Sequence, residues 1–316
     1  MKRWLAPLLL LALAGLAWAV EPGEEPGEGW AFPEARDPQA ARAVRALARA
    51  YPGRGLEAAY RDGDWAVRVD DTWYYWAQGR LLPEGLRGEW PRYAPYRFYR
   101  YPDSLPPVAQ PDPQTRERLR AIVERNTASP PERYEGLLSA LYQAGTRGQT
   151  EARVTTVSFH GLTVRVHQLV APALSAVAEE LGRLREADPM VRDFLAGLKG
   201  LAGYNWRPID GTRSRSYHSY GIAVDLVPRS YGGRHVYWRW SMEHNEDWYA
   251  IPYARRWMVP EAAVRAFEAH GFVWGGKWRF FDTIHFEYRP ELLLFSQAVA
   301  AKPPLSRRKT QLLPMQ

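Results

Sequence analysis

The chain has 316 residues, carries 42 Lys and Arg against 35 Asp and Glu for a formal net charge of +7, and contains no cysteine. The missing thiols exclude disulfides and a cysteine-linked lipid anchor, and the length allows one large domain or two smaller ones. A hydrophobic content of 46% is ample for a core, and the mild positive balance suits a polyanionic partner, although no nucleic-acid motif accompanies it.

The amino terminus reads as an export signal. Lys2 and Arg3 precede an apolar run from Trp4 to Leu16, and Ala17-Trp18-Ala19 supplies a small-x-small site, so cleavage is expected after Ala19. The run is short for a membrane span, which needs about 20 residues. No other stretch is apolar for long enough, so no stable membrane insertion is expected after cleavage. Export removes nucleic acid as a partner.

Residues 20–37 are acidic and rich in Pro and Gly, a flexible lead-in. Pro38 to Tyr51 has helical periodicity, with Ala41, Val44, Leu47 and Ala48 on one face. Trp65–Val69 and Trp73–Trp76 flank Asp70-Asp71-Thr72 as a hairpin. From Leu82 to Gln110 the chain is dense in Pro, Tyr and Arg, an irregular segment expected to pack onto its neighbour. Residues 38–112 thus form an amino-terminal accessory region of unknown role, and residues 113–300 form the main domain.

Within that domain, Thr115–Asn126 and Glu132–Ala144 read as amphipathic helices. Val154–Phe159 and Leu162–His167 alternate around His160-Gly161, a hairpin signal. Helices are expected from Ala171 to Glu186 and from Met190 to Leu201. A Trp- and Tyr-rich loop fills residues 231–257. Pro260 opens a helix that Gly271 ends, and Phe272–Trp274 and Ile284–Tyr288 read as strands. The tail, residues 301–316, is basic and expected to be disordered. Strands and helices in mixed order indicate an α+β fold.

Two stretches carry chemistry: Ser216-Tyr-His-Ser-Tyr-Gly-Ile-Ala-Val-Asp225 and Asp282-Thr-Ile-His-Phe-Glu287. Ile222 to Val227 reads as a short buried strand that Asp225 interrupts. A lone carboxylate there costs several kcal/mol, roughly, unless a metal or an Arg compensates it. His218, Asp225 and His285 together are the donor set of a catalytic zinc site, with a fourth position left for water. On a plain strand, positions seven apart face opposite sides, so His218 and Asp225 converge only through a turn, which Gly221 permits.

Ser-x-His-x-x-Gly-x-Ala-x-Asp, followed by Trp-Gly-Gly-x-Trp and Asp-x-x-His-Phe-Glu, resembles the peptidoglycan metallopeptidases over residues 200–295. That family includes vancomycin-resistance-type D-alanyl-D-alanine carboxypeptidases and L-alanyl-D-glutamate endopeptidases. The resemblance implies a small antiparallel sheet with helices packed around it, the DD-peptidase or hedgehog-like arrangement, with a metal on the sheet's open face. It carries His218, Asp225 and His285 over as ligands of Zn2+. It implies Asp282 as the general base and an upstream Arg facing the oxyanion. Arg207, after Gly203-Tyr204, is the choice for that Arg, with Arg213 and Arg215 as alternatives.

Ser216 is expected to touch substrate, and Glu287, on the same strand face as His285, to hold a ligand imidazole or a surface salt bridge. The tryptophans of Trp274-Gly275-Gly276-Lys277-Trp278 are expected to form one wall of the cleft. His235 and His244 lie in the aromatic loop and are set aside as ligands. His160 and His167 read as structural.

The implied activity is hydrolysis of the peptidoglycan stem peptide by a protein in the periplasm, at the cell wall or outside the cell. In the family that the chain resembles, many carboxypeptidases have Glu at the place matching 282 and Asp is familiar among the endopeptidases, so the resemblance tilts the reading towards L-alanyl-D-glutamate cleavage. D-alanyl-D-alanine carboxypeptidase activity is the alternative, and a noncatalytic wall-binding protein is a third reading.

Overall fold

The computed structural model describes residues 37–130, 132–209 and 212–300. The expected export signal, the lead-in before Asp37 and the basic tail lie outside the described residues. Asp37 caps helix α1 (Pro38–Ala50): its carboxylate accepts from the amides of Gln39 and Ala40, and Pro38 sits in the first turn, where an amide has no helical partner. Strands β1 (Glu57–Arg61), β2 (Asp64–Val69), β3 (Thr72–Tyr75) and β4 (Leu82–Pro83) follow as an antiparallel meander. The expected hairpin is its middle pair; β1 escapes sequence reading because its partly exposed face does not alternate clearly.

Beyond β5 (Tyr93–Ala94), helix α2 (Pro113–Ala128) forms where expected. The next expected helix is shorter. Glu132–Arg133 is β6, paired in parallel with β5, and helix α3 begins only at Gly136 (Gly136–Leu141). Glu135 is held out of it because its carboxylate binds the backbone amide and the guanidinium of Arg215. A short helix α4 (Arg147–Glu151), closed by a capping box between Thr146 and Gln149, leads into the hairpin β7 (Val154–Phe159) and β8 (Leu162–His167). His160 and Gly161 both have positive φ, 48° and 81°, the geometry that a two-residue turn of this twist requires.

Helix α5 (Ala171–Ala187) is as expected, but α6 (Pro189–Ala196) stops early. Leu198–Ala202 is strand β9, not the end of a helix, because it pairs with β10 (Ala223–Pro228). Non-local ladder bonds outweigh the local helical pattern there. The aromatic loop holds a short helix, α7 (Trp238–Met242), before α8 (Glu261–Ala269). Strands β11 (Phe272–Trp274) and β12 (His285–Tyr288) complete a second antiparallel sheet in the order β11-β12-β10-β9. Helix α9 (Pro290–Ala300), which the sequence reading overlooked, closes the described chain. The fold is α+β, with small antiparallel sheets and helices around them. No helix among the described residues is long and apolar enough to cross a membrane.

One hydrophobic core runs from Val44 and Leu47 of α1 through Tyr142, Val166 and Tyr220 to Phe286 and Phe295. A polar knot lies inside it. The fully buried Glu291 accepts from the hydroxyls of Tyr51 and Tyr96 at 2.8 and 3.0 Å and from Nε of Arg289. Tyr142 donates to the Tyr51 hydroxyl at 3.0 Å. Arg289 also donates to the Tyr217 hydroxyl and the Arg97 carbonyl, both at 3.1 Å. A buried ion pair is tolerated when its remaining lone pairs and protons are satisfied in this way.

His167 is structural. Its Nε2 donates to the Tyr142 carbonyl at 2.8 Å, while the Leu169 amide donates to Nδ1 at 3.1 Å, which selects the neutral ring. Burial lowers it from 6.5 to about 4. The unfolded chain therefore binds a proton at a higher pH than the folded chain. This contribution to stability is complete well above pH 6.5 and is lost as pH falls towards 4, on the order of 3 kcal/mol in all. Urea unfolding across that window should show the decline, and His167→Gln should flatten it.

Candidate metal centre

The strand register assembles the site. β10 lies between β12 and β9, with Asp225 directly opposite His285 on one side and Ala202 on the other. Directly opposed residues of an antiparallel pair share a face, and His285 Nδ1 meets Asp225 Oδ1 at 2.8 Å. His218 arrives from a 3₁₀ turn, Tyr217–Tyr220, that Gly221 ends at φ 69°. A Cβ on Gly221 would stand 2.7 Å from the His167 amide, so conformation and space both require glycine. The turn aims His218 Nε2 at Asp225 Oδ1, 3.3 Å away, and the two imidazole centroids lie 5.2 Å apart.

The outward nitrogens have partners. His218 Nδ1 donates to the Gly203 carbonyl at 2.7 Å, and His285 Nε2 donates to Glu287 Oε1 at 3.2 Å. One donor atom from each of His218, Asp225 and His285 falls within 4.8 Å of the others. Two imidazole nitrogens with their second N–H groups already held, facing one carboxylate oxygen, fit a metal ion such as zinc. Burial would raise the Asp225 carboxyl, but hydrogen bonds from His218 and His285 hold it well below the usual carboxylate range. Burial would likewise lower His285, yet its bonds to Asp225 and Glu287 raise it well above the ordinary imidazole value.

Asp282 sits in the turn before β12: its amide donates to the Gly275 carbonyl at 3.2 Å and its carbonyl accepts from the His285 amide at 3.3 Å. Burial raises its carboxyl from 3.8 to about 6, with His285 pulling it down and Asp225 pushing it up. It therefore lies in electrostatic reach of the ligand group while bonded to it only through the backbone. Glu287 is buried and kept ionised against that burial by His285, with Arg289 3.6 Å away.

The other expected residues divide. The Arg207 amide donates to Ser219 Oγ at 2.8 Å and its carbonyl accepts from the Ser216 amide at 3.1 Å, which ties its backbone to the His218 turn; its side chain is exposed. Arg213 is exposed as well. Arg215 is committed elsewhere, to Glu135, Ser139, Tyr220 and the Ala144 carbonyl, stacked between the rings of Trp206 and Tyr220. Ser216 caps the turn, its hydroxyl accepting from the His218 amide at 3.3 Å.

Of the two tryptophans expected to wall the cleft, Trp278 stands 5.8 Å from His285. Trp274 is a correction: it is buried, stacked on Phe286, with Nε1 donating to the Thr283 carbonyl. Alternation along β11 turns it into the core. The Gly203 carbonyl and Arg289 were missed because neither has a local sequence signal; each is recruited by strand packing.

Residues 210–288 match a family model described as D-alanyl-D-alanine carboxypeptidase, and residues 43–98 match a domain of unknown function. No curated protein and no solved structure matches the chain. The peptidase-like stretch contains His218, Asp225, Asp282, His285 and Glu287 and begins after Arg207. The match supports a peptidase, and the His218, Asp225 and His285 group within it has the makings of a metal site.

Glu287 is the residue whose loss tests how the imidazole is held. Glu287→Gln should weaken Zn2+ binding about 10–100-fold, the usual effect of removing a carboxylate that orients a ligand histidine. Chelator competition would measure it, and unchanged affinity would leave Glu287 a partner of Arg289 alone.

Proposed function

We propose that this chain is a zinc-dependent peptidase that hydrolyses the stem peptide of bacterial peptidoglycan after export to the periplasm, the cell wall or the medium. The observation that carries the reading is the convergence of His218, Asp225 and His285 beside a carboxyl, Asp282, raised to about 6, inside the stretch similar to carboxypeptidases. When bound, zinc supplies Lewis acidity at a fourth coordination position.

Asp282 takes a proton from the attacking water and returns it to the leaving amine. Its raised value suits both directions near neutral pH. Arg207, anchored through its backbone to the His218 turn, turns its exposed guanidinium against the charge that develops on the carbonyl oxygen. Glu287 and the Gly203 carbonyl hold the two rings in place.

Asp at position 282, as among the endopeptidases that the chain resembles, favours the L-alanyl-D-glutamate bond. The description of the matching family favours a second reading, removal of the terminal D-alanine. A noncatalytic wall-binding protein has no use for a partly buried carboxyl of raised pKa beside the ligand group, so that reading ranks last.

Digestion of purified peptidoglycan followed by mass spectrometry separates them: new L-Ala and D-Glu termini support the first, free D-Ala the second, and no release supports the third. Asp282→Asn should reduce turnover about 10²–10⁴-fold with zinc content retained, whereas His285→Ala should lose zinc and activity together. Loss of zinc from Asp282→Asn would make Asp282 a ligand instead.

A further inference from the structure

Beside Asp282 the chain presents aromatic rings that the hydrolytic chemistry leaves unused. The Trp238 amide donates to the Phe281 carbonyl and the Thr283 amide to the Val236 carbonyl, each at 2.9 Å. These bonds flank an antiparallel bridge between Tyr237 and Asp282. The two residues are therefore the closely spaced, non-hydrogen-bonded pair of the ladder, whose side chains stand on one face. Tyr237 rises from the same face as the Asp282 carboxyl.

Trp240 follows in α7 and packs edge-on against Tyr237, with ring centroids 5.6 Å apart. It is 56% exposed, the most exposed of the large aromatic side chains among the described residues. Its support is rigid: Trp238 in the same helix packs against Trp248 at 5.1 Å and Phe280 at 4.9 Å. An indole this exposed, carried on a packed helix, fits a flat ligand with one apolar side.

We propose that Tyr237 and Trp240 form a saccharide subsite, receiving the amino-sugar ring to which the stem peptide is joined. This rests on the stem-peptide reading above and names the part of the substrate beyond the peptide. A pyranose carries C–H groups on its face and hydroxyls round its edge, so it stacks on an indole while its polar groups stay in water. The geometry suits cleavage close to the sugar. One residue of extended chain spans about 3.5 Å, which places a sugar attached to the first stem residue within about two residue lengths of the bond after it. The paired Tyr237 and Asp282 stand about 4.5 Å apart at their Cα atoms, and the Tyr237 and Trp240 ring centroids lie 5.6 Å apart, steps of the same order.

Two measurements test this. Peptide-free glycan strands of alternating N-acetylglucosamine and N-acetylmuramic acid should bind the intact protein, and Trp240→Ala should weaken binding about tenfold, the loss expected for one partly buried aromatic face. Trp240→Phe should recover most of it. In kinetics, Trp240→Ala should lower kcat/KM for disaccharide-linked stem peptide about tenfold relative to free stem peptide. Absence of glycan binding by the parent protein, or equal kcat/KM losses on both substrates, would overturn the subsite. If the parent protein cleaves neither substrate, the peptidase reading fails and glycan binding alone decides the subsite.

Discussion

Asp225 places a carboxylate in a strand whose neighbours Val224 and Leu226 are fully buried. Charge in such a position is costly unless opposite charge and hydrogen bonds surround it, and the surrounding structure is arranged to provide both. The β10–β12 register puts His285 across from it, and the glycine-ended turn before β10 brings His218 back over it. The Gly203 carbonyl at the end of β9 then orients the His218 ring. A shift of one residue in any of these strands would turn a donor to the other face of the sheet. The same demand for compensation makes the group able to receive a cation.

The amino-terminal half supports this arrangement from behind. Tyr51 follows α1, Tyr96 lies in the irregular segment, and both donate to Glu291, which fixes Arg289 beside Glu287. Further along the segment, the Tyr101 hydroxyl accepts from the Trp274 amide and the carbonyls of Pro102 and Asp103 accept from Lys277. The Tyr99 hydroxyl accepts from Trp278, the tryptophan that faces His285. Tyr51, in the stretch that matches a domain of unknown function, also packs edge-on against Tyr288, in the peptidase-like stretch, with ring centroids 6.2 Å apart. Removing a partner from this knot would leave a buried charge uncompensated, which destabilises far more than the intact pair stabilises.

The two carboxyls near the donor group differ by environment. Asp225 accepts from two imidazoles and stays ionised at any ordinary pH; Asp282 lacks such donors and is raised by burial. In the proposed reading the first environment suits a ligand and the second a proton carrier, the usual way in which like side chains divide acid–base roles. On the far side of Asp282 lies the aromatic loop, tied to it by a single bridge.

Much of this was legible in the chain itself. Helices α1, α2, α5 and α8 follow from caps, an early proline and 3.6-residue periodicity, and the β7–β8 hairpin from alternation around His160-Gly161. These depend only on near neighbours. His218, Asp225 and His285 were readable as a group because a carboxylate in an apolar strand and a glycine four residues before it have no good local explanation.

Other features required the folded chain. Leu198–Ala202 became a strand and Glu132–Arg133 left its expected helix because each pairs with a segment distant in sequence. Arg215 was removed from contention by Glu135, and Trp274 from the cleft by Phe286. Which imidazole nitrogen faces Asp225, and which side chain rises beside Asp282, were likewise decided by strand register. Local sequence sets propensity and capping; register and burial arise from contacts between residues far apart in the chain, and only the tertiary structure determines them.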